Sequence, residues 1–204
     1  MKSKKQMNEQ EQSTEEKILE AASEVFTEKG FAGTRTRDIA EEAGINLALL
    51  NYYFRSKEKL FEQVMKVKMV LLFGQIVPIL TNEKTNLEEK IDLVSNKYFE
   101  ILSKNPNLPL FVLSEMQKKN SEVKSIIPVN KIFKNSVILK QIKERKPELN
   151  PSHFLINFLS MTIFPFITKP VFNTFDLMNE TEFQQFVEER KRLVPIWIKT
   201  LLNQ

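Results

Sequence analysis

The chain has 204 residues, which is enough for one large domain or for a small domain joined to a medium one. It contains no cysteine, so a disulfide framework and a thiolate metal site are both excluded. The formal net charge is +4, but residues 1–60 hold 10 Lys or Arg against 11 Asp or Glu, whereas residues 104–146 hold 10 against 3.

The first predicted element is an amphipathic helix from Thr14 to about Lys29, followed by Gly30 as its C-cap. Its apolar residues recur at helical spacing: Ile18, Ala22, Val25 and Phe26. Residues 1–13 are polar, mixed in charge and without an apolar signal segment. They predict a disordered tail and a cytoplasmic protein.

Two short helices around a glycine turn come next. Thr34 is the N-cap candidate of the first helix, and Gly44 supplies the sharp turn that ends it. Asn46 is the N-cap candidate of the second, from Leu47 to Phe54. The second helix leaves four residues toward solvent: Leu47, Ala48, Asn51 and Tyr52. This layout is that of a helix-turn-helix motif that binds duplex DNA.

The remaining elements are amphipathic helices separated by Pro and Asn. A long helix, capped by Ser56, is predicted from Lys57 to Val77 and should end near Pro78. Further helices are expected at Asn86 to Ser103, Leu108 to Lys119, 121–127, Val129 to Arg145, Pro151 to Thr168 with a kink at Pro165, and Thr181 to Leu202 with a bend or break at Pro195. The fold class is therefore all-α. The apolar runs from Met69 and Phe154 are shorter than about 20 residues, so no membrane span is expected.

From roughly Thr14 to Phe61 the chain resembles the DNA-binding domain of the tetracycline-repressor (TetR) family. Three features carry the resemblance: KGF after the first helix, the run T-R-D-I-A-x-x-A-G-I, and L-x-Y-Y-F-x-S-K-E-x-L-F. The resemblance implies a helix-turn-helix domain at 14–60 and a helical bundle at 61–204. The bundle would bind a small inducer and, through the last two long helices, the second subunit of a homodimer.

The resemblance also implies roles for individual residues at a double-stranded DNA operator. Thr36 and Lys57 would contact phosphates, Arg37 would lie near a base edge, and Tyr52 and Tyr53 would lie beside the backbone. The front of the recognition helix would consist of Asn46, Leu47, Ala48 and Asn51. Asn51 is the best candidate for contacting a base, since an Asn amide pairs with adenine.

This front is more apolar than is common in the family, which often has Ser or Thr, Lys, Gly and Tyr at these four positions. Contacts to thymine methyl groups are therefore open to Leu47 and Leu49. Leu49 can equally pack on the inner side of the recognition helix and make no contact with DNA. The basic stretch from Lys118 to Lys146 would be either a second patch for nucleic acid or anionic lipid, or a solvated face of the bundle, and the solvated face is favoured.

The inducer pocket is predicted among the aromatic and Met residues of the central helices, which favours an apolar or aromatic ligand. The candidates are Phe99, Phe111, Met116, Phe133, Phe158 and Met161. Each of them could instead fill the core.

Catalytic motifs are nearly absent: there is a single His, His153, and neither a Gly-rich phosphate loop nor a G-x-S-x-G sequence. We therefore expect no enzyme, no metal and no cofactor. The competing class is a helical interaction protein whose apolar Leu47 and Leu49 no longer recognise DNA.

Overall fold

The structure is a computed structural model that describes residues 4–116 and 136–203, with side chains described for residues 13–113 and 136–203. All regular secondary structure in these ranges is α-helical, as predicted. In chain order the helices are α1 (Lys4–Gly33), α2 (Thr36–Glu42), α3 (Leu47–Phe54), α4 (Lys57–Thr81), α5 (Leu87–Lys104), α6 (Leu108–Met116), α7 (Val137–Arg145), α8 (Pro151–Thr174) and α9 (Glu180–Asn203).

The chain forms two compact units, residues 1–68 and 69–204. The division falls within α4, eight residues after the boundary that the sequence predicted between residues 60 and 61. In the N-terminal unit, α1 packs on α2 and α2 packs on α3. The core of this unit consists of Ile18, Ala21, Ala22, Val25, Phe26, Ile39, Ala40, Leu50, Phe54, Leu60, Val64 and Met65. All four members of the predicted stripe on α1 are buried.

Helix α1 begins at Lys4, so the disordered tail predicted for residues 1–13 is wrong from residue 4 onward. The segment from Lys4 to Ser13 contains Lys, Gln, Glu and Met and neither Gly nor Pro, so its composition favours continuation of the helix. The predicted C-cap is correct in substance. Gly30 has φ 67° and ψ 170°, which interrupts the helix before a last turn that ends at Gly33.

Within the described residues, four prolines lie beyond the first turn of helices that continue past them. Helix α4 passes Pro78 and ends three residues later, at Thr81. Helix α9 continues past Pro195, so a break there is wrong, whereas a bend, the other predicted outcome, stays a prediction. Helix α8 runs through Pro165 and Pro170 to Thr174, six residues beyond its predicted end at Thr168. Each proline removes one backbone donor, but tertiary packing can hold the remaining turns in place. Pro165 and Pro195 are both buried.

Helix starts depend on Asn side chains. Asn86 and Glu89 form a capping box at α5, and Asn150 caps α8, where Pro151 occupies the first turn; both starts were predicted. Thr181 was predicted to begin the last helix, but α9 begins at Glu180 and Thr181 does not cap it. The Asn179 side chain accepts from the Glu182 N–H at 3.0 Å, and the Glu182 carboxylate accepts from the Asn179 N–H at 2.8 Å.

The middle of the chain departs from one further prediction. Helix α7 begins at Val137 after an extended Ser136, so a continuous helix from Val129 to Arg145 is wrong, although its end is correct. Helix α6 begins at Leu108 as predicted. The predicted helix at 121–127 and most of the basic stretch from Lys118 to Lys146 lie outside the described residues.

In the C-terminal unit, α5 packs against α7, α8 and α9, and α8 packs against α6, α7 and α9. The core of this unit is rich in aromatic and branched residues, among them Ile91, Val94, Tyr98, Phe99, Phe154, Phe158, Phe166, Phe183, Val194 and Ile198. Helices α4 and α8 are long and apolar enough to cross a bilayer by length and composition, a test that core helices of soluble proteins also pass. Helix α8 supplies Phe154, Phe158 and Phe166 to this core.

A proline and an arginine join α8 to α9. Pro165 has no N–H, so the carbonyl of Met161, four residues earlier, lacks its usual helical donor. Arg190 of α9 supplies two donors to this carbonyl, from Nε at 3.2 Å and from a terminal guanidinium nitrogen at 2.9 Å. The same guanidinium lies 5.4 Å from the ring centre of Phe186 and 5.3 Å from that of Trp197. We call these contacts the Arg190 clamp.

Candidate nucleic-acid interface

The turn before α2 is held by contacts that differ from those predicted. Thr34 was expected to cap α2, but its side chain is buried and its hydroxyl donates to the Gly30 carbonyl at 2.7 Å. The N-cap is Arg35, whose backbone N–H is accepted by the Asp38 carboxylate at 3.2 Å. The buried Thr34 was misassigned because a Ser or Thr side chain can bond either forward into the next helix or back into the preceding one.

Asp38 is held in its ionised form. The Arg35 N–H, and then Lys29 at 3.3 Å, keep the pKa of the Asp38 carboxyl below its ordinary value. Its contacts are therefore present at neutral pH and are lost as the pH falls through that lowered pKa. Two predicted DNA contacts lie beside this acid on α2: Thr36 is half-buried and Arg37 is exposed.

The turn between α2 and α3 requires Gly44. Its φ is +64°, a conformation that residues with a Cβ rarely adopt. The Gly44 N–H donates to the Glu41 carbonyl at 3.1 Å, and the Ile45 N–H donates to the Ala40 carbonyl at 2.9 Å. These bonds close the end of α2, as the sequence predicted, and they fix the direction in which α3 leaves the turn.

Helix α3 presents the predicted front to solvent. Asn46 caps it, since its Oδ1 accepts from the Leu49 N–H at 2.8 Å. Leu50 and Phe54 are buried and Ala48, Asn51 and Tyr52 are exposed. Three further residues of the helix are half-buried: Leu47, Leu49 and Tyr53. The buried pair fixes the rotation of the helix, and that rotation determines which side chains are available to a duplex.

The exposed polar groups of α3 are few. The Asn51 amide makes no hydrogen bond within the described structure, so both its oxygen and its nitrogen are available to a partner. Tyr52 is 71% exposed and packs edge to face against Tyr53, with ring centres 5.4 Å apart. This aromatic pair lies next to the front and offers two phenol groups to a phosphate backbone.

Lys57, predicted as a phosphate contact, makes three contacts within the N-terminal unit. Its Nζ donates to the Phe31 carbonyl at 2.9 Å and to the Thr34 carbonyl at 3.0 Å, and it lies 4.3 Å from the centre of the Phe31 ring. Two of its three N–H donors are therefore used in joining the start of α4 to the end of α1. No sequence motif indicated this role, because the acceptors are backbone carbonyls more than 20 residues away.

Several cations of the N-terminal unit are exposed on α2, on α4 and in the connection between α3 and α4. Arg55 has a positive φ of 56° and is exposed, as are Arg37 and Lys59. Ser56 caps α4 as predicted, its hydroxyl accepting from the Lys59 N–H at 3.2 Å. Residues 1–60 have no net positive charge, so these exposed side chains supply the positive charge locally.

The predicted inducer pocket is only partly described. Phe99, Phe111 and Phe158 are buried, and Met161 packs against the core. Phe99 lies 6.4 Å from Phe166, and Phe158 lies 5.7 Å from Tyr98, measured between ring centres. The side chain of Met116 and all of Phe133 lie outside the described residues. Contact of these six residues with a ligand stays a prediction.

Two polar groups of this core, on Ser95 and Tyr98, were not predicted from the sequence. Ser95 is completely buried, and its Oγ has no hydrogen-bond partner in the described structure. Burial raises the pKa of Tyr98 to about 12, so its phenol is neutral. Both follow from the helical spacing of α5, which places them with Ile91 and Leu102 on its buried side. A shallow groove of about 510 Å³ lies elsewhere on the surface, between α5 and α9.

Comparison with known proteins agrees with this geometry. The family model described as "Bacterial regulatory proteins, tetR family" matches residues 18–64. The chain is 28% identical over 205 residues to the Probable HTH-type transcriptional regulator YttP of Bacillus subtilis, covering 94% of this chain and 95% of that protein. It is 31% identical over 120 residues to the Fatty acid metabolism regulator protein of the same organism, covering 57% and 59%.

Among solved structures, the fatty acid degradation regulator FadR from Bacillus halodurans has the same fold, with a TM-score of 0.63 and 21% identity over 89% of this chain and 94% of that one. The family model and the relatives match the unit that carries Gly44, the Asn46 cap and the exposed front of α3. Residues 18–64 therefore form a DNA-binding domain of the tetR family of bacterial regulatory proteins, and along most of its length the chain is similar to an HTH-type transcriptional regulator.

Proposed function

We propose that the protein is a ligand-responsive transcriptional regulator that binds a palindromic operator as a homodimer. The observation that carries this proposal is the front of α3, where an unbonded Asn51 amide lies among exposed or half-buried side chains on a helix whose rotation is fixed by buried Leu50 and Phe54. A short helix held rigidly in this way can enter a major groove. The regulator would act as a repressor, which is the usual role in this family.

The dimer would form through α8 and α9. In the single chain, Ile156, Phe164 and Val171 of α8 are 60%, 58% and 47% exposed and recur at helical spacing. Helix α9 adds a second exposed apolar stripe: Leu193, Ile196 and Trp197. Two neighbouring stripes of this size are typical of a surface that a symmetric partner covers. A second copy of this chain would supply the same two helices.

The inducer would be an apolar or aromatic molecule bound within the C-terminal core. Phe99, Phe158 and Met161 would line its site, and Ser95 is a candidate polar contact. Long-chain fatty acids are the first compounds to test, because two of the similar proteins are named for fatty acid metabolism. A ligand that weakens operator binding tenfold must differ by about 1.4 kcal/mol in its affinity for the two states of the dimer.

Replacing Asn51 with Ala tests the proposal at the residue that carries it. We expect specific operator binding to weaken by about 1–3 kcal/mol and selectivity to relax at one base pair, while binding to random DNA is unchanged. The measurement is a gel shift with an operator and a scrambled duplex of equal length. An equal loss on both duplexes would refute a base contact.

The same assay separates the competing class. A helical interaction protein with an apolar α3 surface would give no sequence-selective shift even at low salt. Selection of bound sites from random duplexes by the purified protein would then enrich no sequence.

A further inference from the structure

The recognition helix carries no charged side chain. Residues 46–54 read NLALLNYYF and contain no Asp, Glu, Lys, Arg or His. Arg and Lys make the commonest specific contact to guanine, and Asp or Glu can accept from cytosine. Helix α3 therefore lacks the strongest side-chain partners of a G·C pair, and the exposed cations Arg37 and Arg55 lie outside it, on α2 and at the C-cap of α3.

Its amide groups are also limited. The Oδ1 of Asn46 is already used as the N-cap acceptor for Leu49, so Asn46 can offer only the donors of its NH₂ group without uncapping the helix. Asn51 retains both its acceptor and its donors. A bidentate contact to the N6 and N7 atoms of adenine needs both, so Asn51 is the residue of α3 that can recognise adenine in this way.

The rest of the surface is apolar. Leu50 is completely buried and fills the packing position, whereas Leu47 and Leu49 are only half-buried and Ala48 is exposed. In the major groove, the thymine C5-methyl group is the apolar feature that side chains can contact. Leu47 and Leu49, which flank Ala48 and are partly exposed, can therefore contact thymine methyl groups.

We propose that α3 recognises an A·T-rich half-site, in which Leu47 and Leu49 contact thymine methyl groups and Asn51 binds an adenine. This inference rests on the proposed function, since it names the base chemistry that the DNA-binding surface recognises. Leu49 then has a role beyond packing beneath the helix.

Replacement of thymine by uracil tests the inference directly, because it removes the methyl group and leaves the hydrogen-bonding edges and the phosphates unchanged. An operator is first selected from random duplexes with the full-length protein. Each thymine of one half-site is then replaced by uracil in turn, and the dissociation constant is measured. We expect a loss of about fourfold for each methyl group that the protein buries, and two or more such positions in the half-site.

Variants assign each methyl group to a residue. Leu47→Ala and Leu49→Ala should each weaken binding to the thymine duplex and become insensitive to uracil at one position. Lys59→Ala is the matched control: Lys59 is exposed and outside α3, so this variant should keep the full uracil effect while changing affinity evenly across sequences. The wild-type measurement does not depend on how well the variants fold.

The outcomes separate two failures. If the protein binds a selected operator but every single uracil substitution changes affinity by less than about 1.5-fold, well below the expected loss of a buried methyl group, the thymine contacts are wrong and the proposed function stands. If the selected half-site is G·C-rich where α3 binds, the inference is likewise overturned. If no duplex is enriched, the proposed function fails and this inference fails with it.

Discussion

Replacing Arg190 with Ala is expected to lower the free energy of unfolding by about 2–4 kcal/mol, a large effect for a side chain that is not fully buried. The Arg190 clamp satisfies the Met161 carbonyl that Pro165 leaves without a helical donor. Removal of the guanidinium leaves this acceptor unpaired and also removes the contacts with the Phe186 and Trp197 rings. Chemical denaturation of the full-length protein measures the change.

A second substitution distinguishes loss of the carbonyl contact from loss of side-chain packing. Pro165→Ala restores an N–H four residues after Met161, so it should recover about 1 kcal/mol or more of the stability lost in Arg190→Ala. Pro170→Ala is the matched control on the same helix, and its effect should simply add to that of Arg190→Ala. Arg192→Ala controls for charge, because Arg192 is exposed. If the effects of Pro165→Ala and Pro170→Ala both simply added to that of Arg190→Ala, the pairing of Arg190 with the Met161 carbonyl would not explain the loss of stability.

Replacing Lys57 with Met is expected to destabilise the N-terminal unit by about 2–4 kcal/mol, because the Phe31 and Thr34 carbonyls each lose a charged donor. Operator affinity should fall by the same factor on all sequences. Removal of the Lys57 ammonium group destabilises the N-terminal unit and can remove one phosphate contact at most, and neither effect depends on the base sequence. Thermal unfolding and a salt titration of DNA binding measure the two parts separately.

Lys59→Met is the matched control for Lys57→Met. Lys59 lies on the same helix and carries the same charge, but its side chain is exposed. It should leave stability within about 0.5 kcal/mol of the wild-type value. If Lys57→Met instead left stability unchanged and flattened the salt dependence by about one contact, Lys57 would be a phosphate ligand and the internal role assigned to it would be wrong.

Local signals in the sequence predicted the features that depend on few residues. Asn46 and Asn86 were identified as a cap and a helix start, because a short amide next to an apolar helical pattern satisfies backbone donors wherever it occurs, and Pro151 was identified as the start of α8. Gly44 was identified because its turn needs a left-handed residue. The exposed front of α3 followed from the spacing of the buried Leu50 and Phe54.

Features that depend on the packing of the folded chain were not predicted. Thr34 is buried and bonds backward to Gly30, and the sequence does not show which of its two neighbouring helices it will contact. Helix α8 was expected to end near Thr168, but it continues past Pro165 and Pro170. A proline inside an apolar helical pattern does leave a carbonyl open four residues earlier, and that signal could have directed attention to a donor such as Arg190.

The most direct test of the account counts subunits on DNA. Sedimentation of the purified protein with a labelled duplex, carrying either a selected palindrome or a single half-site, gives the stoichiometry of each complex. We expect two chains on the palindrome, with half-sites centred about 34–36 Å apart, and much weaker binding to the single half-site. A monomer that saturates the palindrome, or equal affinity for the two duplexes, would contradict it.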